Sequence, residues 1–379
     1  MRASRCTPAL LAATWFAVSC ATATGAAPKP VATTPPVPVT APVVHYRLSA
    51  VFSVKLSPRG GRLAVGVFHR VLVYDTATWK LLSVCTSVSG GARAIAFTPD
   101  GKTIAIGCGL PDRDGEALIW DGVTGHKPTV LKGADDVIEA LAFSNDGKTL
   151  VTASDDHDVR VYQNLPSAKN TMLTEHNDQV QAVAFSPNAG IPFLSGGRDH
   201  MVKAWDQKTL HSVANLDQYG DGVTCVQFIN DTQFVAGSLD GHIYWAGIGY
   251  DNRDKDWGSY FFRDEFADDG GVNDLAVTGN RQIILTCGMD GAETMWQADG
   301  RQLRVDHISH YPFYGVDISS DGKTAYGGGR DGMIYQWNTG NGSVEHIQAP
   351  PPLRGLVAPQ KRLAFHKVKP LTHRTKHTK

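Results

Sequence analysis

Residues 92–101 read ARAIAFTPDG, an alternating apolar run that ends in a Thr-Pro-Asp-Gly turn. Runs of the same V-x-x-V-x-F type occur seven times along the 379-residue chain. They lie at residues 51–56, 92–97, 138–143, 180–185, 223–228, 272–277 and 313–318, and their last positions are 41 to 49 residues apart. Alternation of β-branched and aromatic residues predicts a strand at each run, and Asp-Gly predicts a tight turn because Gly accepts a positive φ.

A second pattern follows the turn in most of these units: an Asp and, six residues later, an aromatic residue. The pairs are Asp114/Trp120, Asp156/Tyr162, Asp199/Trp205, Asp290/Trp296 and Asp331/Trp337. The first unit keeps only Tyr74, and in the fifth Trp245 follows Asp240 one residue early. Four strand-length segments at this period predict an all-β fold, a seven-bladed β-propeller of four-stranded antiparallel blades. We expect this single domain to span residues 43–351, with either residues 343–348 or residues 44–48 as the outer strand of the seventh blade.

Blocks such as FTPDGK (97–102) and IWDGVTG (119–125) resemble the WD-repeat family, and the resemblance covers about residues 50–348. It implies a structural tetrad of His, Ser or Thr, turn Asp and Trp in each blade. The fourth unit has all four members, His176, Ser195, Asp199 and Trp205, whereas the third and sixth lack the His. His310 is a candidate for the seventh unit, one residue out of register. Because these His, Ser and Asp residues recur in near-copies around a ring, we favour a structural role over a catalytic triad.

The resemblance also implies a binding surface on the narrow face of the propeller, at the start of each first strand and just before the turn Asp. The first-strand positions are Phe52, Arg93, Glu139, Gln181, Thr224, Asn273 and Tyr314. The positions before the Asp are Asp155, Arg198, Leu239, Met289 and Arg330, with Arg113 less secure because the second unit carries extra residues. Arg and Tyr are common hot-spot residues. The predicted function is a non-enzymatic, monomeric scaffold that binds an unknown protein or peptide partner.

The alternative is a propeller enzyme of the lactonase or quinoprotein type, with a metal or cofactor in the central channel. Such an enzyme needs carboxylates or histidines that converge on the channel. The first-strand positions offer one carboxylate, Glu139, and Asp274 is expected on the other face of its strand. We therefore predict no catalytic residue, no metal and no cofactor.

The N-terminal residues predict export. In residues 1–27, Arg2 and Arg5 precede an apolar run at 9–18 and small residues at 21–23, as in a secretory signal peptide. The segment FAVSC that ends at Cys20 resembles a bacterial lipobox, so Cys20 is a candidate lipidation site; cleavage after Ala23 and an uncleaved anchor are the alternatives. Residues 28–42 form a Pro-rich linker. These features predict a periplasmic protein or one anchored to the bacterial outer membrane, with no nucleic-acid partner.

Two further segments differ from the repeats. Residues 352–379 form a basic tail with eight Lys and Arg and no acid, in a chain of net charge −1. We expect this tail to be solvated, although such an arm can also bind an anionic surface. Residues 251–269, between the last two strands of the fifth unit, hold seven acids, three bases and five aromatics. We interpret them as a charged hairpin and a partner-binding edge; a calcium loop is disfavoured because its Gly and distal Glu are absent.

Four cysteines follow the leader, Cys85, Cys108, Cys225 and Cys287. They fall in different units and have no C-x-x-C spacing, so neither a zinc ribbon nor a haem attachment site is indicated. We predict that they are buried free thiols.

Overall fold

The computed structural model of the protein describes residues 49–122, 126–165 and 169–352. This part of the chain contains 28 strands in seven four-stranded sheets and no helix, which confirms the predicted seven-bladed propeller. The described residues accordingly include no helix that could cross a membrane. The predicted signal peptide with Cys20, the linker at 28–42, the segment 44–48 and the basic tail beyond Pro352 lie outside the described residues.

The four strands of each blade follow one another in the chain and pair antiparallel. Blades 1 to 4 consist of β1 (Ser53–Leu56), β2 (Arg62–Val67), β3 (Arg70–Asp75) and β4 (Leu81–Cys85); β5 (Ala94–Phe97), β6 (Thr103–Leu110), β7 (Asp114–Asp121) and β8 (Thr129–Ala134); β9 (Ile138–Phe143), β10 (Leu150–Ser154), β11 (Val159–Tyr162) and β12 (Asn170–Leu173); β13 (Val180–Ala184), β14 (Phe193–Gly197), β15 (Val202–Trp205) and β16 (Ser212–Leu216). Blades 5 to 7 consist of β17 (Val223–Phe228), β18 (Gln233–Ser238), β19 (His242–Asp251) and β20 (Asp256–Phe266); β21 (Val272–Val277), β22 (Ile283–Gly288), β23 (Glu293–Gln297) and β24 (Gln302–Asp306); β25 (Phe313–Ile318), β26 (Thr324–Gly329), β27 (Ile334–Asn338) and β28 (Val344–Gln348).

The turn between the first two strands is built from its own side chains. In blade 2, Thr98 Oγ1 donates to Asp100 at 2.7 Å and accepts the Thr103 N–H at 3.1 Å. Gly101 follows with φ +71°, in the left-handed region where a side chain is strained. Blades 3 and 7 repeat these bonds with Ser144 and Ser319 in place of Thr98. The Thr-Pro-Asp-Gly signature therefore fixes the turn through local hydrogen bonds.

The hydrophobic core lies between blades. In the contact between blades 3 and 4, Val151 and Val161 meet Val180, Phe193 and Trp205. The indole of Trp205 stacks on Phe193 with ring centroids 6.3 Å apart and is fully buried. Burying a side chain of this kind stabilises the fold by roughly 1.5–3 kcal/mol, so every blade depends on its neighbours.

Trp245 breaks this arrangement because it comes one residue early. Trp205 faces the preceding blade, whereas Trp245 belongs to the cluster between blades 5 and 6 and faces the following one. There its ring meets Trp296 edge-on, with centroids 5.8 Å apart. Side chains alternate between the two faces of a strand, so a shift of one residue reverses the blade that a side chain contacts.

The ring closes between blades 7 and 1. The fourth strand of blade 7 is β28, which agrees with the expectation for residues 343–348. The Val51 N–H donates to Gly329 O at 2.9 Å, and the Leu56 N–H donates to the Asp317 carboxylate at 2.7 Å. Lys55 lies 3.5 Å from the same carboxylate. The innermost strand of blade 1 is thus joined directly to blade 7.

Cys85, Cys108, Cys225 and Cys287 are buried free thiols, as predicted. Burial raises the pKa of the Cys225 thiol to about 12.

Candidate protein-interaction face

The two predicted sets of surface residues lie side by side on the narrow face, the end of the blades that carries the loop before each first strand. In five blades, the N–H of the residue before the turn Asp donates to the carbonyl of the residue before the first strand, at 2.7 to 3.3 Å. These bonds run from Asp155 to Val137, Arg198 to Gln179, Leu239 to Gly222, Met289 to Gly271 and Arg330 to Pro312. Arg113 instead bonds within its own turn, to Leu110 O. The backbone therefore fixes two separate stretches of each blade as one surface.

Most of the predicted positions are accessible on this face. Arg93, Arg198, Met289 and Arg330 are exposed, whereas Phe52, Glu139, Gln181, Thr224, Asn273, Tyr314, Asp155 and Leu239 are partly buried.

Two of the predicted residues use their polar hydrogens inside the ring. Thr224 Oγ1 donates to Val272 O at 2.6 Å, and Asn273 Nδ2 donates to Phe313 O at 2.7 Å. In both cases the acceptor is the first residue of the inner strand of the next blade. These two side chains link neighbouring blades and are less free to meet a partner.

The densest part of the face is a cluster of charges on blades 1 to 4, the charged cluster of Phe52, Arg93, Glu139, Asp155 and Arg198. The Arg93 guanidinium lies 5.1 Å from the centre of the Phe52 ring, and its Nε is 3.8 Å from Glu139 Oε1. Burial raises the pKa of Glu139, and the charges of Arg93 and Arg198 oppose this shift. The Arg93 cation thus lies over the Phe52 ring, an arrangement typical of interfaces.

Asp155 has the most perturbed carboxyl group of the charged cluster. Burial, with repulsion from Glu139 and Asp136, raises its pKa to about 7 despite the attraction of both arginines. Its Oδ1 has no hydrogen-bond partner among the described residues. Asp136, two residues before β9, was missed by the sequence reasoning, because it lies outside the repeated strand and turn positions. This oxygen is itself buried, so its lack of a partner agrees with a carboxyl group that is costly to ionise.

The inner strands carry a second group of charges, Lys55, Asp274 and Asp317. Asp274 Oδ2 accepts the Val316 N–H at 3.1 Å, much as Asp317 accepts the Leu56 N–H. The strand is irregular between Val272 and Asp274, which changes the direction of this side chain from the simple alternation expected from the sequence. Burial, opposed by Lys55, raises the pKa of Asp274 to about 6. These carboxylates connect blades 6, 7 and 1 through backbone amides. Within the described ranges, no group of three or more His, Cys, Asp or Glu is arranged to hold a metal ion.

Blade 4 contains the complete predicted tetrad. His176 Nδ1 lies 2.9 Å from Asp199 Oδ2, and His176 Nε2 lies 2.7 Å from Ser195 Oγ. Trp205 Nε1 donates to Ser195 Oγ at 2.8 Å. Burial alone would raise the pKa of Asp199, but the hydrogen bond and charge of His176 outweigh it and lower that pKa. The four residues form a relay from the buried indole to the loop before the first strand, in which every polar group has a partner.

The family comparison agrees with this geometry. The model described as WD domain, G-beta repeat matches residues 79–121, 125–163, 168–206, 210–245 and 300–338, more than half of the chain. The chain belongs to the WD-repeat family. The matched ranges leave out β1 to β3, β20 to β23 and β28, together with the second half of β19.

Similar proteins are found among eukaryotic WD-repeat sequences. Actin-interacting protein 1 of Drosophila melanogaster is 27% identical over 320 residues, which is 82% of this chain and 51% of the relative. COMPASS component SWD3 of Saccharomyces cerevisiae is 25% identical over 290 residues, 68% of this chain and 87% of the relative. WD repeat-containing protein 1 of Xenopus tropicalis is 25% identical over 317 residues, 80% of this chain and 51% of the relative. The chain spans about half of the length, or less, of several relatives that it matches.

Other WD repeats of this chain replace the His of the tetrad with a residue of the third strand. In blade 3 the buried Arg160 bonds Asp156 at 2.8 Å. In blades 5 and 7, Tyr244 and Tyr335 donate to the tetrad aspartates Asp240 and Asp331, each at 2.5 Å. The position of His176, four residues before the first strand, holds Ser309 in blade 7, and Ser309 is buried. The expectation for His310 was wrong: its side chain is exposed, because alternation along the loop turns the adjacent position outward.

Blade 6 holds a carboxylic acid where blade 4 holds the His. Asp268 is buried and accepts the Gly270 and Met289 N–H groups at 2.8 and 3.1 Å. Burial and a hydrogen bond with Asp290 raise the pKa of Asp268 to about 7. Nearby, burial raises the pKa of Glu293 to about 9, and its Oε1 has no partner among the described residues. Blade 6 therefore has carboxyl groups whose raised pKa values favour the protonated form, in the region where blade 4 has a buried histidine.

Proposed function

We propose that this chain is a non-enzymatic WD-repeat scaffold that binds a protein or peptide partner on its narrow face, centred on the charged cluster. The observation that carries the proposal is the cluster itself, in which exposed Arg93 lies over the Phe52 ring and beside Glu139, with exposed Arg198 on the same face. Charge complementarity of this kind gives an interface its specificity. The name of the Drosophila relative describes an interaction with actin, which supports protein binding as the class of activity.

The environment of the inner-strand carboxylates supports a scaffold over a channel enzyme. Asp274 and Asp317 each accept two backbone N–H groups, from Leu275 and Val316 and from Leu56 and Ile318 respectively. An acceptor that is occupied in this way is a poor ligand for a metal and a poor general base. Stoichiometric calcium or zinc in the purified protein would favour the enzyme instead.

The test of the binding face is a triple variant, Arg93→Ala, Arg198→Ala and Tyr314→Ala, in a co-purification from the native source. We expect recovery of the bound protein to fall at least about tenfold, since two or three hot-spot residues are each worth above 1 kcal/mol. The matched control replaces Lys102, Lys148 and Lys323, exposed residues of the turns at the opposite end of the blades, with Ala. Equal recovery with both variants, at equal thermal stability, would refute the narrow-face assignment.

We further propose that the scaffold is exported, as a periplasmic protein or one tethered through a lipid at Cys20. The support is the leader sequence alone: Arg2 and Arg5, the apolar run at 9–18 and the FAVSC segment. In a bacterial host, we expect the full chain to fractionate with the envelope and to incorporate labelled palmitate, and Cys20→Ala to abolish the label. A cytoplasmic, unlabelled and unprocessed chain would contradict export; an exported, unlabelled chain would contradict only the lipid.

A further inference from the structure

The outer two strands of blade 5 form the longest hairpin of the described chain. Strands β19 and β20 have ten and eleven residues and pair up to Asp251 and Asp256, with one register shift that leaves Phe262 unpaired. The insertion recognised in the sequence is thus a continuous hairpin. One side packs against blade 4, where Phe261 meets Tyr219 edge-on at 5.1 Å and Ser259 Oγ donates to Asn215 O at 2.9 Å. That contact holds the hairpin on the ring.

The hairpin also exposes a strip of aromatic rings. The exposed fractions of Tyr260 and Phe262, whose ring centroids lie 6.0 Å apart, are 43 and 47%. Tyr260 alternates with Phe261 and therefore lies on the face turned away from blade 4. Tyr250 and Phe266 are also exposed, but Tyr250 pairs with Trp257 on the face towards blade 4, and Phe266 lies against His242. Aromatic side chains that remain this exposed on neighbouring positions indicate a surface that another segment covers.

Acidic side chains border the aromatic strip. Asp251, Asp254, Asp256 and Asp264 are exposed, and none of the four forms an ion pair within the described part of the chain. The exposed Arg253 and Lys255 lie between them, so residues 251–265 hold five acids and three bases. The one close ion pair of the hairpin joins Arg263 and Glu265. The strip is therefore suited to a segment that is both basic and apolar.

We propose that the aromatic strip binds residues 361–369 of the same chain. This stretch reads KRLAFHKVK and combines four Lys and Arg with Leu363, Phe365 and Val368. In an extended conformation Leu363 and Phe365 point to the same side, so they can pack on the rings while the cations meet the aspartates. Lys and Arg side chains also bind the faces of Tyr and Phe rings.

The connection is long enough for this contact. Strands β20 and β28 are both the fourth strand of a blade and end on the same face, so the chain leaves Pro352 at the face where β20 ends. Only blade 6 separates the two strands. Packed sheets are about 10 Å apart near the core of the ring, and the separation is larger between outer strands. The nine residues from Pro352 to Lys361 span up to about 30 Å, and the thirteen to Phe365 span up to about 43 Å. The free edge of β20 also offers unpaired backbone groups to an extended segment.

The test is zero-length carbodiimide cross-linking of the full chain at low concentration, followed by mass spectrometry. We expect intramolecular links between Lys361, Lys367 or Lys369 and the aspartates of the hairpin. In the double variant Tyr260→Ser and Phe262→Ser the yield should fall at least about fivefold. The control is Leu303→Ser with Val305→Ser on β24, the fourth strand of blade 6, where the exposed fractions are 39 and 45%. Equal yields in the two double variants would overturn the proposal.

A mixture of isotope-labelled and unlabelled chains separates the possible occupants. Cross-links within one isotopic form would show that the bound segment belongs to the same chain. Cross-links only between the two forms would show that it belongs to a second copy, and would refute the intramolecular contact. A second measurement uses the full chain with Arg362→Glu and Lys367→Glu, two substitutions that lie outside the propeller strands. We expect amide hydrogen exchange in Tyr260–Phe266 to be at least about tenfold faster in this variant, and unchanged exchange would refute the contact. The proposal is independent of the narrow-face function, which these substitutions leave intact.

Discussion

Blades 4 and 6 place polar groups at the same four positions and satisfy them in different ways. Near the core they agree: Trp205 donates to Ser195 at 2.8 Å, and Trp296 donates to Thr286 at 3.2 Å. They differ near the narrow face, where His176 bonds a carboxylate in blade 4, while in blade 6 burial and the neighbouring Asp290 raise the pKa of Asp268 to about 7. The aromatic anchor is therefore common to both blades, and the variation lies in the loop beside the binding face.

The difference has an electrostatic consequence. The pKa of Asp199 is lowered, so blade 4 gains stability above the ordinary carboxyl range and loses it in acid. The pKa values of Asp268 and Glu293 are raised, so blade 6 is most stable when these groups keep their protons. The two blades of one ring thus respond to pH in opposite directions.

The largest effect expected from this comparison is that of His176→Ala. The substitution leaves the Asp199 carboxylate and Ser195 hydroxyl without their histidine partner, so we expect a loss of about 2–3 kcal/mol in the free energy of unfolding. Urea titration at pH 7 measures it. Asp268→Asn is the counterpart in blade 6, where removal of a carboxyl group that is costly to ionise should cost less than about 0.5 kcal/mol. Equal losses in the free energy of unfolding for His176→Ala and Asp268→Asn would mean that the histidine of blade 4 and the aspartic acid of blade 6 contribute equally to stability.

A smaller effect of opposite sign is expected for Glu293→Val. The ordinary pKa of 4.5 becomes about 9 in the fold, so the unfolded chain loses this proton first and the free energy of unfolding falls between about pH 4.5 and 9. Valine stands at the equivalent position in blade 4, Val202. We expect a gain of at least about 1 kcal/mol at pH 9 that diminishes towards pH 5. Urea titrations at both pH values, with the exposed Glu345→Gln as control, measure it; an unchanged pH dependence would contradict the assignment.

The smallest effect should come from His310→Ala. Because His310 is exposed and outside the tetrad, its replacement should change the free energy of unfolding by less than about 0.5 kcal/mol. Ser309→Ala should cost about 1 kcal/mol, because buried Ser309 Oγ accepts the Tyr311 N–H at 3.0 Å. Thermal unfolding of both variants measures these changes. A larger loss of stability for His310→Ala than for Ser309→Ala would show that His310 is a member of the tetrad after all.

The fold was predictable because every blade repeats the alternation of its strands, and because blades 2, 3 and 7 also repeat the chemistry of the turn. Trp245 was also recognisable as one residue early, but only the structure shows that it contacts the following blade. The same limit applies to Glu293: the sequence places it in a strand, and its burial depends on which blade packs against that side. Periodicity gives the position of a residue along a strand, while neighbouring blades decide its surroundings.

The candidate site was predictable as a set of positions and not as a set of contacts. The residues before the turn Asp could be chosen by counting, and the structure places them beside the first strands. Thr224 and Asn273 meet the same criterion, yet their side chains bond the next blade. Asp136 contributes to the charged cluster from a loop position that no repeat marks. Such contacts depend on how closely neighbouring blades approach each other. The sequence of a single repeat does not determine that distance.

The five backbone bonds across the narrow face would affect how tightly the proposed partner binds. Ordering a loop on association costs free energy, commonly about 1–2 kcal/mol for each residue whose backbone is fixed. Here Asp155 and Arg198 are already fixed to Val137 and Gln179 before any partner arrives. The backbone of this face is therefore already ordered in the free protein, and binding would cost little further main-chain entropy. We expect substitutions on this face to alter the rate of dissociation more than the rate of association.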